Sequence, residues 1–139
     1  MGAGDFAAAT VRHAFFERER ERCFRCRRPL RFEDRGIGWS AHHRMPRGAG
    51  GVGRKSVLTE LARMISAVTN CLILCGSGTT GCHGWVESHR AIAEDHGYIV
   101  RRGINPPAGI RIKRHDGSWW LLTSSGLAVE VEAEEGMGR

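Results

Sequence analysis

The stretch Ser40–Arg44, "SAHHR", runs directly into Met45-Pro46-Arg47 and a glycine-rich segment, "GAGGVG" (48–53). Two adjacent histidines thus precede a segment that glycine leaves too free for regular secondary structure. Neighbours in a strand face opposite sides. A histidine doublet alone therefore describes one packed and one solvated side chain. Whether His42 and His43 do more depends on the company the rest of the chain gives them.

The chain has 139 residues, enough for one domain with a modest core. It carries no apolar run of membrane-spanning length and no secretion-type N-terminus, so a soluble, cytoplasmic protein is expected. Charge is more informative: 21 Lys plus Arg oppose 15 Asp plus Glu, a net +6. Glu130, Glu132, Glu134 and Glu135 crowd the last ten residues, and residues 1–129 hold 20 basic and 11 acidic groups, a net +9. A basic body with an acidic tail (130–139), expected to be disordered, suits a polyanionic partner, most simply DNA.

Five cysteines without a secretion signal argue against disulfides and for metal binding. Cys23 and Cys26 form "CFRC", a spacing that lets one tight turn present two thiolates to zinc. Cys75 and Cys82 supply a second pair, because the intervening "GSGTTG" can loop out. Cys71 in "CLILC" reads as a small buried residue. A thioredoxin-type redox pair at Cys23 and Cys26 lacks its βαβ context.

Residues 7–22, ending in "FERERER", predict a helix with Val11, Ala14 and Phe15 on its apolar face and a solvated charge run. "RFEDRGIGWSAHHR" predicts a short hairpin arm ending at the histidines. A mobile loop is expected over 48–53, then a helix over 56–69 capped by Ser56. "NCLILC" is apolar and β-rich, and Cys82–His96 predicts a helix stopped by Gly97. "YIVRR", "GIRIKR", "SWWLL" and "LAVEV", separated by turns, predict a small antiparallel meander. Trp119 and Trp120 should face opposite sides, one of them core. "GAGGVGRKS" imitates a phosphate-binding P-loop, but Arg54 stands where lysine should follow Gly53 and no apolar strand precedes it. A basic loop beside DNA is the better reading of Arg54 and Lys55, together with Arg44 and Arg47.

Taken in order, "CFRC", "AHHRMPRGAGG", "NCLILC" and "GCHGWVESH" resemble the HNH endonuclease family, specifically its phage-encoded branch, over about residues 20–129. The resemblance implies an α+β fold: a ββα-metal (HNH, His-Me finger) core with structural zinc knuckles, an N-terminal helix and the C-terminal meander. It also implies roles. His42 matches a ligand of a catalytic divalent cation, His43 the general base, Asn70 the residue that ties the loop and helps orient the base, and His83 a second cation ligand. Cys23, Cys26, Cys75 and Cys82 match the zinc knuckles. Where many relatives have a histidine four residues after the one matching His83, this chain has Glu87, either an oxygen ligand or a solvated helix residue. His89 is a competing candidate, on a different helix face; His13, His96 and His115 read as packing or surface residues.

These residue types suit phosphodiester hydrolysis on chemical grounds. An imidazole near its ordinary pKa can take a proton from water, and a divalent cation neutralises charge at the phosphate and departing oxygen. An oxygen ligand at Glu87 favours Mg²⁺ or Mn²⁺, with Zn²⁺ or Ni²⁺ as alternatives. For both histidines to serve one site, the doublet must stand at a strand end or a bulge. The expected activity is metal-dependent, largely sequence-nonspecific DNA cleavage, by nicking or double-strand scission, with a monomer and a dimer equally compatible. The family resemblance further implies a host-cytoplasmic setting and assistance to a packaging terminase large subunit. The rival expectation is a non-catalytic zinc-knuckle DNA-binding module, which needs only the cysteines and the basic surface.

Overall fold

Two antiparallel strands, β1 (Trp39–His43) and β2 (Cys71–Cys75), form the centre of the computed structural model, which describes residues 5–47, 56–103 and 105–133, with only the backbone of 56–59. Their register runs from Trp39 opposite Cys75 to His43 opposite Cys71. All five residues of β2 are buried, because both faces of this small sheet are covered. Cys71 and Ile73 join Trp39, Phe15, Val11 and Phe6 on one face. Leu72 and Leu74 join Phe24, Val86, Tyr98, Ile112 and Leu122 on the other. A continuous apolar run is the sequence form of a strand packed on two sides.

The hairpin expected to end at the histidines is therefore not local. Residues 31–38 make a single helical turn (Phe32–Asp34) and a bend, and the partner of β1 comes from beyond α2 (Ser56–Ser66). Among the described residues, α2 packs through Ile65, Leu61 and Met64 onto Met45 and Val100. It ends at Ser66, and a separate turn over Val68–Asn70 leads into β2. The capping role expected of Ser56 concerns a side chain outside the described residues, as do the loop at 48–53, Arg54, Lys55 and the tail from 134 onward.

The N-terminal helix, α1 (Ala8–Arg12), continues as a widened turn over His13–Arg18 and stops there, short of residue 22. Glu19 N–H donates to Ala14 O, five residues back, at 2.9 Å. The charge run is also not simply solvated. Arg18 and Glu19 are buried and paired side by side, Nε to Oε1 at 2.6 Å and Nη2 to Oε2 at 2.8 Å. Arg18 further donates to Val68 O at 2.9 Å and to Cys71 O, tying the helix end to the start of β2. Periodicity sees a run of like residues; it cannot see that one pair in the run has carbonyls waiting for it.

The helix expected over Cys82–His96 is two, α3 (Gly81–Ser88) and α4 (Arg90–Asp95), broken at His89. Gly97, at φ +87, turns the chain where a Cβ would run into Arg111 O. The C-terminal sheet has order β3-β4-β5, from Ile112–Lys113, Trp119–Leu122 and Ala128–Val131, antiparallel throughout. "YIVRR" is not one of its strands: Tyr98, Ile99 and Val100 are buried core without regular secondary structure. Glu130 belongs to β5, so the ordered body extends past residue 129. Trp119 meets His96 edge-on, and Trp120 packs against the core beneath the Arg114 guanidinium. The protein is thus mixed α+β, built from two small antiparallel sheets around a cysteine cluster.

Candidate metal centres and the histidine pocket

Cys23 and Cys26 sit on a miniature hairpin closed by Cys23 N to Arg28 O at 2.9 Å and Leu30 N to Glu21 O at 2.8 Å. Arg20, Glu21 and Arg27 take left-handed backbone conformations to make it. The second pair comes from the end of β2 and the start of α3. Gly76, at φ +84, turns the chain there where any Cβ would meet Thr80 O. Ser77 N then donates to Thr80 Oγ1 at 2.9 Å, so "GSGTTG" loops out and returns. The result is four thiols, Cys23, Cys26, Cys75 and Cys82, each offering a sulfur within 4.8 Å of the others. Cys26 Sγ lies 3.8 Å from Cys75 Sγ. The Cys75 thiol is pushed up to about 12 by its hydrogen bond with Cys23 and by burial. Four sulfurs in mutual contact suit a tetrahedral structural metal such as zinc, which would displace their protons. Arg25 donates to Cys82 Sγ at 3.4 Å and lies 3.8 Å over the Trp85 ring, a cationic neighbour for sulfur charge. Cys71 is apart on the other sheet face, fully buried, its thiol raised to about 12 chiefly by burial.

The histidine doublet stands at the last two positions of β1. His42 faces Tyr98 and α3 and is 5% exposed. Its Nε2–H donates to Tyr98 O at 2.8 Å, which fixes the tautomer and leaves Nδ1 as a lone-pair donor. Burial pushes its pKa down to about 3 against the pull of that carbonyl, so the ring is neutral at ordinary pH. His83, on the first turn of α3, approaches it with ring centroids 5.2 Å apart. Burial lowers the His83 pKa too, and its Nδ1 is buried without a hydrogen-bond partner. One turn on, Glu87 Oε2 lies 3.8 Å from His83 Nε2. His42, His83 and Glu87 each offer a ligand atom within 4.8 Å of the others. Two neutral imidazoles, one with an orphaned nitrogen, and one carboxylate suit a divalent cation. His89 is excluded from this cluster, stacked on Trp85 with its Nδ1 against Ser88 Oγ and Trp85 O.

His43 faces the opposite side, where Phe6 stacks on it at 3.9 Å between centroids and 11° between planes. It nonetheless lines the same cavity of about 290 Å³ as His42, His83 and Glu87, because the strand ends there. No bulge is needed. Arg47 and Arg90 complete the rim: Arg47 pairs with Asp5 at 2.5 Å, and Arg90 with Glu87 Oε1 at 2.9 Å.

Asn70 lies outside the cavity lining and works on the backbone. Met45 N donates to its Oδ1 at 2.6 Å, and its Nδ2 donates to Met45 O at 3.1 Å and Ile65 O at 2.8 Å. It therefore clamps the chain just after the doublet to the end of α2. Arg44, expected to meet nucleic acid, is fully buried. Its guanidinium donates to Gly97 O, Thr69 O, Pro107 O and Ile110 O at 2.8 to 3.0 Å. It is a structural hub, since a guanidinium buried with four of its donors committed to carbonyls cannot reach a phosphate. Phe6 and Arg90 are the residues of this site that sequence reasoning missed. Phe6 precedes the first predicted helix and Arg90 lies in a segment read only for helix propensity.

Comparison of the chain with family models, with curated proteins and with solved structures gives no match. Among the described residues, no helix is long and apolar enough to cross a membrane.

Proposed function

We propose that the protein is a cation-dependent DNA endonuclease of HNH type, with β1, β2 and α3 as its ββα-metal core. The observation that carries this reading is the convergence of His42, His83 and Glu87 in the cavity that His43 also lines. A zinc-knuckle binding module would need the cysteine cluster and a basic surface, but has no use for that second donor set.

His43 is the general base. Its ring, held on one face by Phe6, accepts a proton from a water positioned for attack on phosphorus. The new P–O bond forms as the P–O bond to the departing oxygen breaks, and that oxygen is protonated from solvent. His42, His83 and Glu87 would hold the cation, with Tyr98 O orienting His42 from behind. When bound, the cation supplies charge neutralisation at the phosphate and departing oxygen. Asn70 keeps the chain after His43 in place, and Arg47 adds positive charge at the rim. The four cysteines pin the knuckle hairpin to the β2–α3 junction and so fix the start of α3, whose first turn carries His83.

The test is plasmid cleavage with and without added Mg²⁺ or Mn²⁺, for wild type and His43→Ala. Cleavage that requires cation and falls about a hundredfold or more in His43→Ala is expected. DNA binding without cation-dependent cleavage would instead favour the binding module.

A further inference from the structure

Beside the histidine cavity lies a second, larger groove of about 660 Å³, and the two share Pro46, Arg90 and Ile99 as common wall. Beyond that wall the groove is lined by Arg101, Arg102 and Glu94. Three arginines, Arg90, Arg101 and Arg102, face two carboxylates, Glu94 in the groove and Glu87 at its edge, so the groove keeps a net positive charge beside the cation cluster. The arginines are not equivalent. Arg102 Nη2 donates to Pro46 O at 3.0 Å and also to Arg47 O, so it pins the turn between the two cavities. Arg90 holds Glu87 at 2.9 Å and Arg101 holds Glu94 at 2.8 Å, each through one nitrogen, with side chains 52% and 67% exposed. A guanidinium has five N–H donors in a planar fork, so each keeps donors free for a second partner.

We infer that this groove carries the DNA backbone away from the cleavage site, with Arg90 contacting the phosphate next to the scissile one and Arg101 a phosphate further along. The inference rests on the endonuclease reading and adds a direction to it. A DNA strand carries a charge roughly every 3.4 Å of helix axis, so a strand with one phosphate at the cation cluster must place its neighbours somewhere close. The groove that shares Arg90 with the histidine cavity offers such a place directly beside that cluster. Arg90 also couples the two places. A cation taking up Glu87 draws on the carboxylate that Arg90 now holds, and this frees the arginine for phosphate.

The experiment measures binding of a short DNA duplex by fluorescence anisotropy over a range of salt, without added catalytic cation, for the full chain. Arg101→Gln and Arg90→Gln should each flatten the salt dependence by about one unit of log–log slope. Arg31→Gln, an exposed arginine that lines neither cavity, should leave it unchanged. Because Arg90 touches Glu87, a ligand in the proposed cation site, Arg101 is the decisive position, and unchanged zinc content and melting temperature verify its fold. Unchanged slopes in both groove variants would overturn the inference, as would an equal loss in Arg31→Gln, which would mean a diffuse field. A wild type that binds through the groove but never cleaves would retire the endonuclease reading and leave the groove standing. A groove whose charge serves an acidic protein surface would give unchanged DNA slopes, and so counts against it.

Discussion

The Phe6 ring lies flat against the His43 imidazole, centroids 3.9 Å apart and planes 11° from parallel. Phe6 comes from the extended chain ahead of α1, so the N-terminal segment reaches across the sheet to hold a residue at the end of β1. Neighbouring Asp5 repeats the reach with its ion pair to Arg47 at 2.5 Å. The stack fixes the plane of the His43 ring at the cavity it lines, and on the endonuclease proposal that restricts the orientations from which it takes a proton. Phe6→Ala should lower cleavage about tenfold through lost orientation, with DNA affinity and zinc content retained. Phe6→Tyr should restore most of the rate and Phe6→Leu much less, because the aliphatic chain fills space without stacking. Equal recovery by leucine would reduce Phe6 to a packing role.

The cysteine cluster makes a sharper distinction. If the cluster holds zinc, serine at Cys23, Cys26, Cys75 or Cys82 should abolish zinc binding and lower the melting temperature markedly, since a structural metal contributes directly to folding. Cys71→Ser should retain full metal content, because that thiol lies on the other sheet face. Metal analysis of the purified variants reads both outcomes. Zinc loss from Cys71→Ser would break the assignment.

Arg44 offers a test that has nothing to do with charge at the surface. Four carbonyls converge on its guanidinium, from the turn before β2, from Gly97 and from the 107–110 turn. Burial draws its pKa down to about 9, which still leaves it charged at neutral pH. Removing it strands several buried acceptors at once, so Arg44→Met should destabilise by about 3–5 kcal/mol or fail to fold. Arg44→Lys should rescue little, because one ammonium cannot span the same fork. Denaturant melts provide the measurement. A lysine variant of wild-type stability would mean that the charge matters and the geometry does not.

The cysteine pairs, the two C-terminal turns and the histidine doublet were legible because each is local: a spacing, a punctuation mark or a dipeptide. Arg44 was not legible. Its identity next to His43 invites a phosphate, and only the return of residue 97, more than fifty positions later, gives it other work. The same holds for Arg18 and Glu19, which sit in a run whose pattern reads as solvated until Val68 and Cys71 arrive with free carbonyls. The β1–β2 pairing spans α2, so the turn chemistry that normally announces a hairpin is absent. Glu87 was left between ligand and surface residue, and its place beside His83 and His42 depended on the angle at which α3 leaves the cysteine cluster.

Acid should expose the burial of His42. Its pKa is near 3 folded and near 6.5 unfolded, so the unfolded chain binds more protons between those values. Stability is therefore full above pH 6.5 and falls as pH drops toward 3, by up to about 1.4 kcal/mol per unit from this group. His42→Asn removes the titration while leaving the cysteine cluster intact. The stability gap between wild type and His42→Asn should therefore narrow as pH is lowered from 6.5 to about 4.5. A gap that stays constant over that interval would mean that His42 is protonated in the folded protein.

Glu87 should decide which cation the site prefers. Its carboxylate is shared between His83 Nε2 at 3.8 Å and Arg90 at 2.9 Å, an arrangement that holds it in place for an incoming ion. Two imidazoles and a carboxylate accept Mg²⁺ or Mn²⁺, whereas three imidazoles favour Zn²⁺ or Ni²⁺. Glu87→His should then retain cleavage with Ni²⁺ or Zn²⁺ and lose most of it with Mg²⁺. Glu87→Ala should weaken every cation and shift the concentration needed for half-maximal cleavage upward by about tenfold or more. His89→Ala, four residues from Trp85 and stacked on it, should alter neither quantity. Titration of each variant with the four cations, read by both cleavage and calorimetric binding, separates a ligand from a residue that merely neutralises Arg90. If Glu87→Ala and Glu87→His keep the wild-type cation preference and affinity, the carboxylate is a surface partner of Arg90 and the cation rests on the histidines alone.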